Sequence, residues 1–261
     1  MGRNDGFLKE DEMIHFLNGK KFRDLSPNLQ TLIKMNFGIV EPDEIIICEY
    51  GQEHTKCDFV IVYQGKKKGV SLKTGKAEIM HVEKISTLIP FLRSIGVSEE
   101  TLRTLLLYHF GDGTLDGTGK VRYSTERVLI WLEDRIKAAN KELNENKEII
   151  TKFLERILFQ GVDENALAAN SIFLGDFEYG VCATKKQIYK YVNSRNWNYY
   201  TRPHIGPIQF RTQARYINMP ITDEKKRMRV QCHWPNLGPE LGYASRHFEY
   251  YTPMRHRTYE E

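Results

Sequence analysis

Two short apolar runs in the first third of the chain break the helical hydrophobic period, and a chain that carries them must build a sheet. Cys57–Tyr63 (CDFVIVY) and Lys68–Lys73 (KGVSLK) are separated by Gln64–Gly65–Lys66–Lys67, a polar turn containing glycine, so the pair reads as a β-hairpin. Glu44–Glu49 (EIIICE) reads as a buried strand just before it.

Helical spacing surrounds this centre. Residues 8–18 carry an apolar stripe, and Pro27–Met35 is expected as a short helix with Ser26 as N-cap, Pro27 at N1 and Gly38 closing it. A helix is expected over His81–Ile95, with Pro90 kinking or ending it. Thr101–His109, about 125–143 and the stretch from Ile149 to Leu158 follow as further helices. Strand signals return at Ser171–Leu174, Tyr179–Ala183, Ile208–Ile217 and Met228–Trp234, with a helix at Lys185–Val192. No linker interrupts the chain, which predicts one α/β domain. Its core lies over 8–95 and 171–183, a helical insertion over about 97–165, and a β-rich basic segment over about 184–261.

Within the hairpin, three polar side chains fall together. Ser71 and Lys73 are two apart and share a face in an extended strand, and pairing of the hairpin brings Asp58 opposite them. A carboxylate and an ammonium converging on one spot suit phosphodiester hydrolysis. Asp58 can hold a divalent cation that polarises the phosphate and acidifies a water, and Lys73 can orient that water and offset developing charge. Oxygen donors favour Mg²⁺. One aspartate is too few, and Glu83, ten residues past Lys73, and Glu12, on the first helix, are the carboxylates within reach of the pattern.

These residues resemble the PD-(D/E)XK nuclease superfamily, which includes many type II restriction endonucleases. The resemblance rests on Cys57-Asp58, fourteen intervening residues and Lys73 closing Ser-Leu-Lys, over roughly residues 8–95. Cys57 stands for the usual proline, and Ser71 stands where an acidic metal ligand is usual. Some members share this Ser-x-Lys form and take the carboxylate from the next helix, a role that falls to Glu83 here, with Glu78 second. The block Gly69–Glu83 is also similar to the core of a bacterial group of nuclease-like proteins. The resemblance implies a restriction-endonuclease-like mixed sheet flanked by helices, and an Mg²⁺-dependent endonuclease for double-stranded DNA in restriction or defence. A homodimer would match the two strands of a duplex. A catalytically silent nuclease-fold protein that binds DNA and an RNA-cleaving toxin are the alternatives.

Charge is unevenly spread. Residues 1–175 hold 24 Lys and Arg against 26 Asp and Glu, whereas residues 176–261 hold 14 against 8, together with 15 of the 30 aromatic residues. A basic, aromatic-rich segment suits a polyanion, and a solvated basic face over an aromatic core accounts for it equally well. In Ile205–Asn218 a strand would align Gln209, Arg211, Gln213 and Arg215, residue types able to read base edges from a β-ribbon. The same alternation also describes a solvated strand face.

Other features exclude functions. The four cysteines form no CxxC pair, which argues against a zinc ribbon or a disulfide framework and fits a reducing cytosol. No apolar run nears the roughly 18 residues needed to cross a bilayer. The Gly111–Gly117 segment fails the EF-hand pattern at Thr114 and Tyr123, and the scattered histidines His204, His233, His247 and His256 form no zinc pattern.

Overall fold

Gln64 and Gly65 both adopt positive φ, 47° and 74°, the backbone of a two-residue type I′ turn whose twist matches that of paired strands. The hairpin is therefore tighter than the four-residue turn expected, and its second strand begins at Lys66. A computed structural model describes residues 5–52, 55–75, 78–119, 122–197, 201–212 and 228–246.

In chain order, helix α1 (Asp5–Leu17), strand β1 (Lys20–Lys21), helix α2 (Pro27–Phe37), and strands β2 (Ile45–Tyr50), β3 (Phe59–Tyr63), β4 (Lys66–Lys73) and β5 (Ile79–Lys84) come first. Helices α3 (Ile85–Ser94), α4 (Glu99–Phe110), α5 (Thr125–Trp131), α6 (Glu133–Glu145) and α7 (Lys147–Leu154) follow. After a π-helical turn come β6 (Ala169–Gly175), β7 (Gly180–Thr184), α8 (Lys185–Asn193), β8 (His204–Ile205), β9 (Ile208–Thr212), β10 (Arg229–His233) and α9 (Leu237–Arg246). The fold is mixed α/β.

The chain divides into two compact units, each woven from separated segments. The first comprises Met1–Ala77, Leu158–Tyr191 and Leu237–Glu261; the second comprises Glu78–Ile157 and Val192–Asn236. The helices expected as an insertion thus belong to a unit with its own sheet.

The first unit holds six strands in the order β1-β2-β3-β4-β6-β7. All neighbours are antiparallel except β4 and β6, which run parallel from Val70↔Ser171 to Lys73↔Leu174. Met13 and Leu17 of α1 and Leu29, Leu32 and Ile33 of α2 pack against Ile46, Phe59, Ile61, Val70 and Phe173 on one sheet face. Each such side chain, fully buried, contributes about 1.5–3 kcal/mol. Ser26 caps α2 by accepting from the Leu29 amide, with Pro27 at the first position and Gly38 closing the helix at φ 82°, as the sequence predicts. Strand β2 departs from expectation. It is half-buried, with Ile45 and Ile47 exposed, because these alternate side chains face away from the helices.

In the second unit, β5, β10, β9 and β8 form an antiparallel sheet, with Val230 opposite Glu83 and Gln231 opposite Arg211. The β9–β10 pairing expected from their matching alternation is present. The helix expected over His81–Ile95 is replaced by β5 and then α3, since β5 finds a partner in β10 some 145 residues later that no local period reveals. Pro90 sits inside α3. The long helix expected at about 125–143 breaks at Leu132 into α5 and α6. Phe153 of α7 meets the ring of Phe210 edge-on at 5.5 Å, joining helix layer to sheet.

Candidate active site

Antiparallel register puts Phe59 opposite Val70 and so carries Asp58 to the level of Ser71. The approach is fixed by backbone: the Asp58 amide donates to Val70 O (2.9 Å), and the Gly51 amide donates to Asp58 O (3.1 Å). Gly51 has no room for a side chain, because a Cβ there would lie 1.7 Å from Cys57 O. The glycine thus lets β2 close over the Cys57-Asp58 step.

Three donors meet one oxygen of Asp58. Its Oδ2 accepts from the Ser71 hydroxyl (3.2 Å) and the Leu72 amide (2.5 Å), and Lys73 Nζ lies 3.7 Å away. Lys73 also donates to Leu72 O (3.0 Å). The Asp58 and Lys73 side chains are each about four-fifths buried, with 20% exposed, and Ser71 is fully buried. Asp58, Ser71 and Lys73 therefore come together as the sequence pattern requires. Cys57 beside them is an inert thiol, pushed up to about 11 mainly by burial, with Sγ donating to Phe59 O (3.2 Å).

The carboxylate beside this group is Glu10 of α1. Its carboxyl is raised to about 7, first by burial and then by the negative charge of Asp58, with Lys73 pulling the other way. Sequence reasoning passed over Glu10, although a signal existed. Glu10 shares the spacing of Met13, Ile14 and Leu17, the buried stripe of the helix, so it is an acid in an apolar column. Glu12 is turned to Lys9 instead, 2.7 Å away.

Glu83 is on strand β5 rather than on the following helix, and it belongs to the second unit. There Arg156 donates to it twice, Nη2 to Oε2 at 2.9 Å and Nε to Oε1 at 3.5 Å. Although burial opposes ionisation, hydrogen bonds and charge from His81 and Arg156 hold the Glu83 carboxyl below its usual range. Glu78 also belongs to that unit, with its carboxylate 3.9 Å from His233. Of the strand residues expected to face a nucleic acid, Gln209 is buried and Arg211 half-buried within β9; Gln213 and Arg215 lie outside the described residues. The segment after Gly111 is a self-bonded turn, with Asp112 accepting from the Thr114 amide and hydroxyl and from the Gly119 amide.

Among the described residues, no group of three or more His, Cys, Asp or Glu side chains is arranged to hold a metal ion. Among them, too, no helix is long and apolar enough to cross a membrane. Compared with models of protein families and with curated protein sequences, the chain finds no match.

Proposed function

We propose that this chain is an Mg²⁺-dependent endonuclease of the PD-(D/E)XK type that hydrolyses phosphodiester bonds in double-stranded DNA, with Asp58, Lys73 and Glu10 at its centre. The observation that carries this reading is the convergence of Ser71, Leu72 and Lys73 on Asp58 Oδ2 with the Glu10 carboxyl beside them.

A divalent cation suits these residues. The Glu10 carboxyl, raised to about 7 by burial first and by the charge of Asp58 second, is one that a cation beside it would help to ionise. Mg²⁺ commonly takes one or two carboxylates and fills its remaining positions with water, so two oxygen-donor side chains suffice. Asp58, through the oxygen left open by the three donors, and Glu10 would hold it. When bound, the ion would supply Lewis-acid polarisation of the phosphate and a more acidic water.

The chain's own residues divide the remaining work. Ser71 and the Leu72 amide fix the Asp58 carboxylate in one orientation. Lys73, tethered by Leu72 O, is a cation able to orient the attacking water and to offset charge gathering on the phosphate. Glu10 gives up its proton as the site takes positive charge. Cutting both strands from one centre per chain calls for a two-fold dimer.

The test is incubation of the full chain with supercoiled plasmid and linear duplex, in Mg²⁺ and in EDTA. Metal-dependent fragments that fall about 10³-fold in Lys73→Ala, with DNA binding retained, are the expected result. Uncut DNA with the parent chain, or equal cleavage by parent and variant, would reject the reading. A gel shift without cleavage would point to a nuclease-fold DNA-binding protein.

A further inference from the structure

The second unit gathers three arginines, one of them buried, around one buried tyrosine, and among its described residues none of the three is ion-paired. Tyr108 of α4 lies among three arginines, Arg122 ahead of α5, Arg202 ahead of β8 and Arg211 on β9, each close enough to act on its hydroxyl. The hydroxyl donates to Phe210 O (3.2 Å) and accepts from Arg202 Nη1 (3.4 Å). Arg122 is 94% buried, at 6% exposure, and its Nη1 donates to Tyr123 O (2.8 Å). Among the described residues its buried Nε and Nη2 find no hydrogen-bond partner, and neither does the buried Nε of Arg211.

No carboxylate forms an ion pair with any of the three among the described residues. The acid that Arg122 does feel is Asp112, whose two oxygens are already taken by Thr114 and Gly119. A guanidinium cannot escape by losing its proton, as a buried lysine would. Burial depresses Arg122, yet its charge remains. Buried charge is ordinarily paired, and an unsatisfied buried donor calls for an explanation, of which a bound ion is one. A water would satisfy a donor but leave three guanidiniums against Asp112, the one carboxylate that Arg122 feels. A tetrahedral oxyanion satisfies both, through the forked geometry in which arginine holds phosphate. Arg202 also reaches solvent, lining an open groove of about 700 Å³ with Glu126, Glu133, Lys137, Asn140 and Thr201.

We propose that Arg122, Arg202 and Arg211 form a binding site for a phosphate group in the second unit. The site is independent of the nuclease reading, since none of its residues belongs to the Asp58 centre. The phosphate can be free, as inorganic phosphate or a nucleotide, or part of a nucleic-acid backbone; the chemistry is the same.

The experiment is thermal unfolding of the full chain in inorganic phosphate, set against sodium chloride at equal ionic strength, for the parent, Arg122→Gln and Arg211→Gln. The parent is expected to gain about 5 °C at saturating phosphate beyond the salt control. Each variant is expected to lose most of that gain. Arg122→Gln is expected to match or exceed the parent's midpoint without phosphate, because it removes an unpaired buried charge. Competition of phosphate with a short DNA duplex, lost in both variants, assigns the site to a backbone phosphate. A phosphate response without competition assigns it to a free ligand. A shift no larger than that in chloride, or one undiminished in Arg211→Gln, which is half-exposed and expected to fold, would overturn the proposal.

Discussion

The two units carry opposite electrostatic imbalances, and they settle them differently because carboxylic acids titrate near neutrality and guanidiniums do not. In the first, burial and then the like charge of Asp58 act against ionised Glu10, which relieves the conflict by keeping a proton up to about pH 7. In the second, Arg122, Arg202 and Arg211 have no such exit, and Arg122 keeps two buried N–H groups without partners among the described residues. The same unit shows what a settled buried charge looks like: Glu83 is met by two N–H donors of Arg156, whose guanidinium also stacks over Phe91 at 4.4 Å. A proton, a cation or an anion from outside can satisfy the first two arrangements, whereas the third is satisfied from within. Ligand sites are expected where a fold leaves such a debt, not where it has closed one.

Removing Arg156 is the severest test of that contrast. Arg156→Ala strands the buried Glu83 carboxylate and is expected to cost about 3–5 kcal/mol in denaturant unfolding, with Arg156→Lys restoring part of it. If Arg156→Ala and Arg122→Gln lose the same stability, the distinction between a settled and an unsettled arginine fails.

A smaller loss is expected from Gly51→Ala, which acts on the first unit through backbone alone. The added methyl must displace Cys57 O, at a cost of about 1–3 kcal/mol by the midpoint of chemical denaturation. It should also lower cleavage, since the shifted step carries Asp58. Unchanged stability would mean that the close approach of β2 to this step is not required.

The mildest effect belongs to Glu10→Gln. A carboxyl raised in the folded protein costs nothing below about pH 4.5, where folded and unfolded chains are both protonated. As pH rises from about 4.5 through 7 the folded chain loses stability relative to the variant, which carries no such group. Solvent screening at this half-exposed position limits the difference to about 1 kcal/mol at pH 8. Mg²⁺ should remove most of it by stabilising the ionised pair. A pH profile identical in parent and variant would show that neither burial nor Asp58 raises the Glu10 carboxyl.

The hairpin and its consequences were legible because they are local. The short apolar run of Cys57–Tyr63, the glycine at position 65 and the spacing of Ser71 and Lys73 already imply that Asp58 meets both. The capped helix α2 was equally plain, since Ser26, Pro27 and Gly38 each act within a few residues. Glu10 was readable in principle, as an acid in the column of Met13, Ile14 and Leu17, but naming its partner required knowing which strand end the helix crosses.

What the sequence by itself determined is the chemistry that can be assembled within one hairpin: a carboxylate, a hydroxyl and an amine brought to one strand end by a two-residue turn. What only the tertiary structure decided is which distant charges meet. Residues 81–84 became a strand because β10 pairs with them, Glu83 was taken by Arg156, and Arg122, Arg202 and Arg211 gathered around Tyr108. The reason is physical. Period and turn chemistry act over a few residues and are written in the chain, whereas the partners of a buried charge are chosen by packing between segments separated by up to about a hundred residues.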